Sequence, residues 1–101
     1  MIVEFSIVPI GKGESLAELV AKVVDVADAS GLPYKLTAMG TIVEGEWDDI
    51  LELIKECHFK MRQYSNRVMT FITIDDRAKA KGRIEGKVAD VEDILGRKLK
   101  K

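Results

Sequence analysis

The order in which strand-like and helix-like patterns follow one another restricts the fold of this 101-residue chain more than any other feature. Apolar residues alternate with polar ones where a strand is expected, and recur every three or four positions where a helix is expected. The predicted strands cover Ile2–Pro9, 34–39, Thr41–Glu44 and 67–74, and the predicted helices begin at Ser15, Trp47 and Ile84. This order predicts an α+β protein with a ferredoxin-like βαββαβ antiparallel sheet and an extra C-terminal helix.

Local signals mark where the first helix begins and ends. Ser15 and Glu18 have the spacing of a capping box, in which a hydroxyl and a carboxylate each satisfy a free backbone N–H. Gly31 supplies a left-handed residue that stops a helix, as Gly96 does for the last one. We therefore expect the first helix to start at Ser15.

The last predicted strand is apolar on both faces. Met69 and Phe71 point to one side of it, and Ile72 and Ile74 point to the other. An exposed sheet face normally carries polar residues, so this pattern predicts that a second copy of the sheet covers the face without helices. We expect a homodimer formed through the sheet, or a dimer of dimers.

Composition limits the classes of partner. The length predicts a single domain over residues 1–101. A net charge of -1 and a pI near 5.8 argue against nucleic acid and anionic membrane as partners. The longest uncharged run, from Phe5 to Gly11, is too short to span a bilayer, and the N-terminus does not resemble a signal peptide, so we expect a cytoplasmic protein. Cys57 is the only cysteine, which excludes an internal disulfide and a thiolate zinc site.

The segment from residue 37 to residue 46 is the first candidate for a small-molecule site. Two hydroxyls, a thioether and carboxylates are gathered there around a glycine, in Thr37, Met39, Gly40, Thr41 and Glu44. Each residue also has an ordinary structural interpretation, as a sheet threonine, a core methionine, a turn glycine or a solvated carboxylate. The segment alone leaves both interpretations open.

Several motifs also resemble a known family, the small thiamine-binding, YkoF-like proteins. The resemblance extends over nearly the whole chain, through Val8-Pro9-Ile10-Gly11, Ser30-Gly31-Leu32-Pro33-Tyr34, Leu36-Thr37-Ala38-Met39-Gly40-Thr41, Glu44-Gly45-Glu46, Arg67-Val68 and Ile74-Asp75-Asp76-Arg77. It implies a ferredoxin-like subunit that pairs through its sheet into a dimer and usually a tetramer. It also implies binding of thiamine or a related molecule without turnover. Ala38 departs from the proline expected in the family, without removing a polar group.

The chemistry of thiamine is compatible with the residues of the segment. Its aminopyrimidine needs donors and acceptors, its thiazolium carries a permanent positive charge, and its hydroxyethyl arm needs one polar partner. Glu44 would accept from the amino group or offset the cation, Thr37 and Thr41 would donate and accept, and Met39 would lie against a ring. The predicted ligand-binding set, with Ser6 on the same sheet face and Asp75 at the pocket edge, is Ser6, Thr37, Met39, Gly40, Thr41, Glu44 and Asp75. A shortage of basic residues favours free thiamine over its diphosphate.

The sequence contains few residues suited to catalysis. One histidine, one cysteine and no nucleophile–base spacing leave only carboxylates for acid–base work. We therefore expect a binding protein with no catalytic residues, cofactor or metal. A small enzyme using Glu44 or Asp75 as base, and a structural or regulatory subunit for a protein partner, are the alternatives. Two other motifs have a functional interpretation, but a plain turn is favoured at each of them. They are Gly11-Lys12-Gly13 as a phosphate loop and Asp75-Asp76-Arg77 as a metal site.

Overall fold

The computed structural model describes residues 1–11, 13, 16–79 and 81–101. Within them the elements are β1 (Ile2–Pro9), α1 (Ala17–Ala29), β2 (Tyr34–Leu36), β3 (Thr41–Glu44), α2 (Trp47–Arg62), β4 (Val68–Asp75) and α3 (Arg83–Leu95). Ser15 of the predicted capping box and Lys12 of the candidate phosphate loop lie outside the described residues. α1 follows Leu16, and the backbone turns left-handed at Gly31 and Gly96 after α1 and α3, as predicted.

The four strands form one antiparallel sheet in the order β2-β3-β1-β4. With the helices between the strands, this is the strand order of a ferredoxin-like sheet, and the predicted fold class is confirmed. β1 is a central strand and pairs with β4 along its whole length, from Ile2 opposite Asp75 to Pro9 opposite Val68. On its other side β1 pairs with β3 only from Ile2 to Phe5.

One face of the sheet is buried beneath α1 and α2. Alternate residues of β1 point towards the helices, and their neighbours on β3 do the same. The core consists of Val3, Phe5, Ile7, Val23, Ala27, Val43, Ile50, Leu53, Ile54, Cys57 and Met61. α2 completes it because its apolar positions fall on one side, while Asp48 and Asp49 in its first turn and Lys60 and Arg62 in its last turn complement the helix dipole.

The opposite face, which we call the open face, remains largely bare. It carries Ile2, Glu4, Ser6 and Val8 of β1, with Ile42 beside them on β3 and Met69, Phe71 and Thr73 on β4. Met69 is 42% exposed and Phe71 is 53% exposed, so α3 does not cover them. The apolar surface that predicts self-association is therefore present on the folded subunit.

Candidate functional site

The turn between β2 and β3 is organised by one threonine. The Thr37 hydroxyl donates to the Gly40 carbonyl at 2.8 Å and accepts from the N–H groups of Met39 and Gly40, both at 3.2 Å. These side-chain bonds compete with strand pairing, so β2 ends at Leu36 rather than at the predicted residue 39. The turn thus presents Met39, which is 83% exposed, at its tip.

Gly40 is needed because this turn packs closely against β1. A Cβ atom added at Gly40 would lie 2.9 Å from the carbonyl oxygen of Phe5 and 3.5 Å from Cγ of Glu4. The first distance is shorter than any ordinary contact with a backbone atom, so a side chain there would push the turn away from the strand. The close approach that requires a glycine at position 40 is therefore that of β1.

A cleft of about 200 Å³ lies between this turn, the second half of β1 and α1. Five of the predicted ligand-binding residues line it: Ser6, Thr37, Met39, Gly40 and Thr41. Ser6 is half-buried on the open face, whereas Thr41 is opposite the buried Phe5 and only 5% exposed, so the expectation that Ser6 shares the sheet face of Thr41 is wrong. The fold therefore gathers residues that are more than 30 positions apart in the sequence around one small concavity.

One wall of this cleft was not predicted from the sequence. Leu16, Val20, Val23 and Val24 of the first helical segment line it. The spacing of these residues is that of an apolar helix face, which predicts packing against the core. Nothing in the spacing indicates that part of this face borders a cleft. No charged side chain is among the described lining residues, so the cleft suits a neutral ring with a few polar edges.

The Glu44 carboxylate lies elsewhere, at the start of α3. Its two oxygens accept the backbone N–H groups of Arg83 and Ile84 at 3.1 and 3.2 Å, so it caps this helix from a neighbouring strand. Partial burial raises the pKa of Glu44, but the N–H groups of Arg83, Ile84 and Gly82 outweigh it and hold the pKa below its usual 4.5. Glu44 borders a separate, more open hollow of about 490 Å³ together with Tyr34.

Asp75 is also separated from the cleft, at the far end of β4. Lys87 of α3 donates to its carboxylate, and this bond holds the pKa of Asp75 below its usual 3.8. Asp75 lines only a small recess of about 20 Å³ with Arg77 and Arg83. The two predicted carboxylates thus anchor α3, and the structure does not bring them to the five residues of the cleft.

A different carboxylate lies beside the turn. Glu4 is exposed on the open face, two residues before Ser6, and its Cγ is the side-chain atom nearest to the missing Cβ of Gly40. No lysine or arginine within the described residues forms a salt bridge with it. Sequence reasoning missed Glu4 because a single glutamate in an alternating strand is typical of a solvated sheet face.

A larger groove lies between α1 and α2, and none of the predicted residues is among its described lining. It measures about 810 Å³ and carries charges of both signs, including Asp25, Glu56 and Lys60. Charged side chains share its walls with Val26, Leu32 and Leu53, so it is better solvated than the uncharged cleft and suits a small heterocycle less well. We therefore place the candidate site at the smaller cleft.

The single cysteine and the single histidine both have structural roles. Cys57 is fully buried, and burial, followed by the charge of Glu56, raises the pKa of its thiol to about 12. Nδ1 of His58 lies 2.6 Å from the hydroxyl oxygen of Thr70, which ties α2 to β4. Within the described ranges, no group of three or more His, Cys, Asp and Glu side chains could hold a metal ion, and no helix is long and apolar enough to cross a membrane.

Comparison with known sequences places the chain among close relatives. A sequence model described as thiamine-binding protein matches residues 3–92. The UPF0045 protein MJ1052 of Methanocaldococcus jannaschii is 34% identical over 94 residues, which is 93% of this chain and 94% of that protein. The UPF0045 protein YqgV of Bacillus subtilis is 36% identical over 100 residues, covering 93% of this chain and 96% of the relative.

Solved structures show the same fold. The crystal structure of MJ1052 matches with a TM-score of 0.84 at 35% identity, over 91% of this chain and 95% of that one. A Thermotoga maritima protein, TM0486, described as a candidate thiamine biosynthesis/salvage protein, matches with a TM-score of 0.79 at 27% identity, over 89% of this chain and 96% of that one. These similarities confirm the resemblance and the fold predicted from the sequence.

Proposed function

The chain belongs to the thiamine-binding protein family, and we propose that it binds thiamine or a closely related heterocycle without transforming it. The observation that carries the proposal is the cleft of about 200 Å³, where five of the seven residues predicted for this ligand line one concavity. The binding protein then serves as a carrier or sensor of the vitamin in the cytoplasm. The description of TM0486 as a candidate thiamine biosynthesis/salvage protein supports the same class of ligand.

The chemistry of the cleft favours one half of thiamine. Its described walls are mostly apolar and uncharged, and the hydroxyl of Thr41 is a polar side-chain group among them, since the Thr37 hydroxyl is already bonded within its own turn. A neutral aminopyrimidine suits such walls, whereas the thiazolium cation would lose its hydration there without a counter-charge. Drug-sized ligands usually occupy roughly 300–1,000 Å³, so this smaller cleft would hold one ring and leave the other outside.

Glu4 is the carboxylate that we assign to the cation. It lies on the open face beside Gly40, which is one of the residues that line the cleft, and it is exposed and without a salt bridge in the described structure. Glu44, the carboxylate predicted for this role, and Asp75, which was predicted at the pocket edge, are instead bonded to α3. Because the cleft has no basic residue among its described lining, we propose free thiamine, rather than its diphosphate, as the ligand.

The open face supports a proposal about assembly. Met69 and Phe71 expose apolar surface there, with Ile42 and Val8 half-buried beside them. We propose that a second subunit covers this face to form a homodimer, and that two dimers form a tetramer. The association would remove apolar area from water that a chain of this length cannot bury by folding alone.

Isothermal titration with thiamine and with thiamine diphosphate tests the ligand. We expect saturable binding of thiamine, weaker binding of the diphosphate, and a loss of roughly five- to tenfold in affinity for Thr41→Val, the equivalent of one hydrogen bond. Thr70→Val is the matched control, since it removes the same hydroxyl from the same sheet face outside the cleft. No binding of thiamine by the folded protein would refute the proposal and favour a protein partner. Recovery of a chemically altered ligand by mass spectrometry would refute binding without turnover.

Sedimentation velocity tests the assembly. We expect the unaltered protein to sediment as a dimer or tetramer, and Phe71→Asp to sediment as a smaller species because it places a charge in the apolar interface. Trp47→Asp is the control, since Trp47 is similarly exposed, at 52%, but lies at the start of α2 rather than on the open face. A monomeric unaltered protein at about 100 μM would contradict the proposed dimer, because a specific interface of standard size holds at that concentration.

A further inference from the structure

The backbone of β1 has a free edge that faces the cleft. Met1 and Gly45 exchange two hydrogen bonds, of 2.8 and 3.1 Å, at the start of the β1–β3 pair. Hydrogen-bonded pairs alternate along an antiparallel ladder, so Val3 and Phe5 also direct their N–H and C=O groups towards β3. By the same alternation, the backbone groups of Ile7 point in this direction.

β3 does not reach Ile7. Its first residue, Thr41, is opposite Phe5, and the chain before it turns away through Gly40. Ile7 lines the cleft, and no described residue forms a backbone hydrogen bond with it on this side. One N–H donor and one C=O acceptor of the same residue therefore point into the cleft.

The free edge is too short for a peptide strand. The next residue whose backbone groups would point the same way is Pro9, which has no N–H to donate. The edge thus offers a single adjacent donor–acceptor pair, and the Thr37–Gly40 turn lines the cleft beyond it. A pair of this kind matches a flat ring with one acceptor nitrogen next to one amino group.

We propose that the Ile7 backbone recognises such a ring: its N–H donates to a ring nitrogen and its C=O accepts from the neighbouring amino group. The aminopyrimidine of thiamine carries this pair, so the inference rests on the proposed function and specifies how that site recognises its ligand. The apolar walls, including Leu16 and Val20, strengthen the two bonds because they exclude water. Without a ligand, the N–H and C=O groups of Ile7 form hydrogen bonds with water.

Backbone amide exchange followed by two-dimensional NMR tests the inference directly. In the free protein, we expect the Ile7 amide to exchange with solvent faster than the amides of Val3 and Phe5, which are paired with β3. Saturating thiamine should slow exchange at Ile7 by at least about tenfold relative to these two control amides, and should shift its proton resonance downfield. An Ile7 amide that thiamine binding leaves unchanged would overturn the inference.

A ligand with the pair inverted provides the second arm. Oxythiamine replaces the amino group by an oxo group, so its ring edge presents an acceptor where thiamine donates, while its thiazolium is unchanged. We expect its affinity to fall at least about tenfold, as expected when a site built for a donor is left unpaired. Equal affinity for both ligands would overturn the inference but leave thiamine binding standing. Absence of thiamine binding in the same titrations would instead refute the proposed function.

Discussion

Replacing Glu44 by alanine separates a structural role of this carboxylate from a ligand-binding role. The substitution removes both acceptors of the Arg83 and Ile84 N–H groups at the start of α3. Loss of a side-chain N-cap costs about 0.5–2 kcal/mol, and we expect the upper half of this range, about 1–2 kcal/mol, because two N–H groups lose a charged acceptor in a half-buried setting. For a chain of about 100 residues, each kcal/mol lowers Tm by roughly 4–8 °C.

Thermal unfolding at pH 7 measures this loss, and Glu46→Ala is its control. Glu46 is exposed, lies two residues further along the chain and makes no side-chain capping bond to α2. Hydrogen exchange at Arg83 and Ile84 locates the effect, because these amides should exchange faster only in Glu44→Ala. Equal Tm values for the two variants would refute the assignment of Glu44 to the helix.

The pH dependence of stability gives an independent check. The pKa of Glu44 is lowered in the folded state, so the charged carboxylate stabilises the fold above its unfolded pKa near 4.5. This contribution is lost as the pH falls through the lower, folded pKa. The Tm difference between the unaltered protein and Glu44→Ala should therefore be constant near neutral pH and shrink below pH 4.5. In Glu44→Ala we expect thiamine affinity to stay within about twofold of that of the unaltered protein, because the Glu44 carboxylate is bonded to α3 and not to the ligand. A tenfold loss at equal stability would return Glu44 to the ligand site predicted from the sequence.

Three further predictions concern the cleft and the core. Gly40→Ala should destabilise the protein by about 1–3 kcal/mol and weaken thiamine binding, because its Cβ would meet the Phe5 carbonyl oxygen at 2.9 Å. Gly86→Ala, where the nearest atom is the far end of an arginine side chain at 3.0 Å rather than a backbone atom, should melt at the same temperature as the unaltered protein or higher. Glu4→Gln should weaken thiamine by about tenfold but leave the neutral 4-amino-5-hydroxymethyl-2-methylpyrimidine within about twofold, and equal losses for both ligands in titration would contradict its pairing with the cation. Cys57, with its thiol pKa raised to about 12, should resist iodoacetamide at pH 8 in the native protein and react in denaturant, as measured by mass spectrometry; rapid native alkylation would show that the site opens readily.

The element order was predictable because each element has a local cause. Alternating apolar residues in 2–9 and the apolar stripe of the segment after Trp47 indicate a strand and a helix from their spacing alone. Short connections and the chain order then favour the ferredoxin-like sheet over other arrangements. β2 is where local reading was inaccurate: the Thr37 side chain ends the strand three residues early by binding backbone groups that pairing would have used.

The residues around the candidate site were predictable only in part, for the same physical reason. Thr37, Met39, Gly40 and Thr41 are neighbours in the chain, so their shared location follows from one turn. Glu44 lies on the next strand, but its partners are 39 and 40 residues away, at the start of a helix that no local pattern places against it.

Residue type and spacing along the chain are sufficient to predict the class of fold, the bare apolar face of the sheet and the family. The bonds of Glu44 and Asp75 to α3, and the wall that α1 forms in the cleft, depend on how distant segments pack together. The tertiary structure also decides that β3 stops short of Ile7 and leaves a free edge of β1 facing the cleft. The capacity to form hydrogen bonds belongs to each residue, but whether it is satisfied depends on which distant backbone or side chain folding brings within about 3 Å.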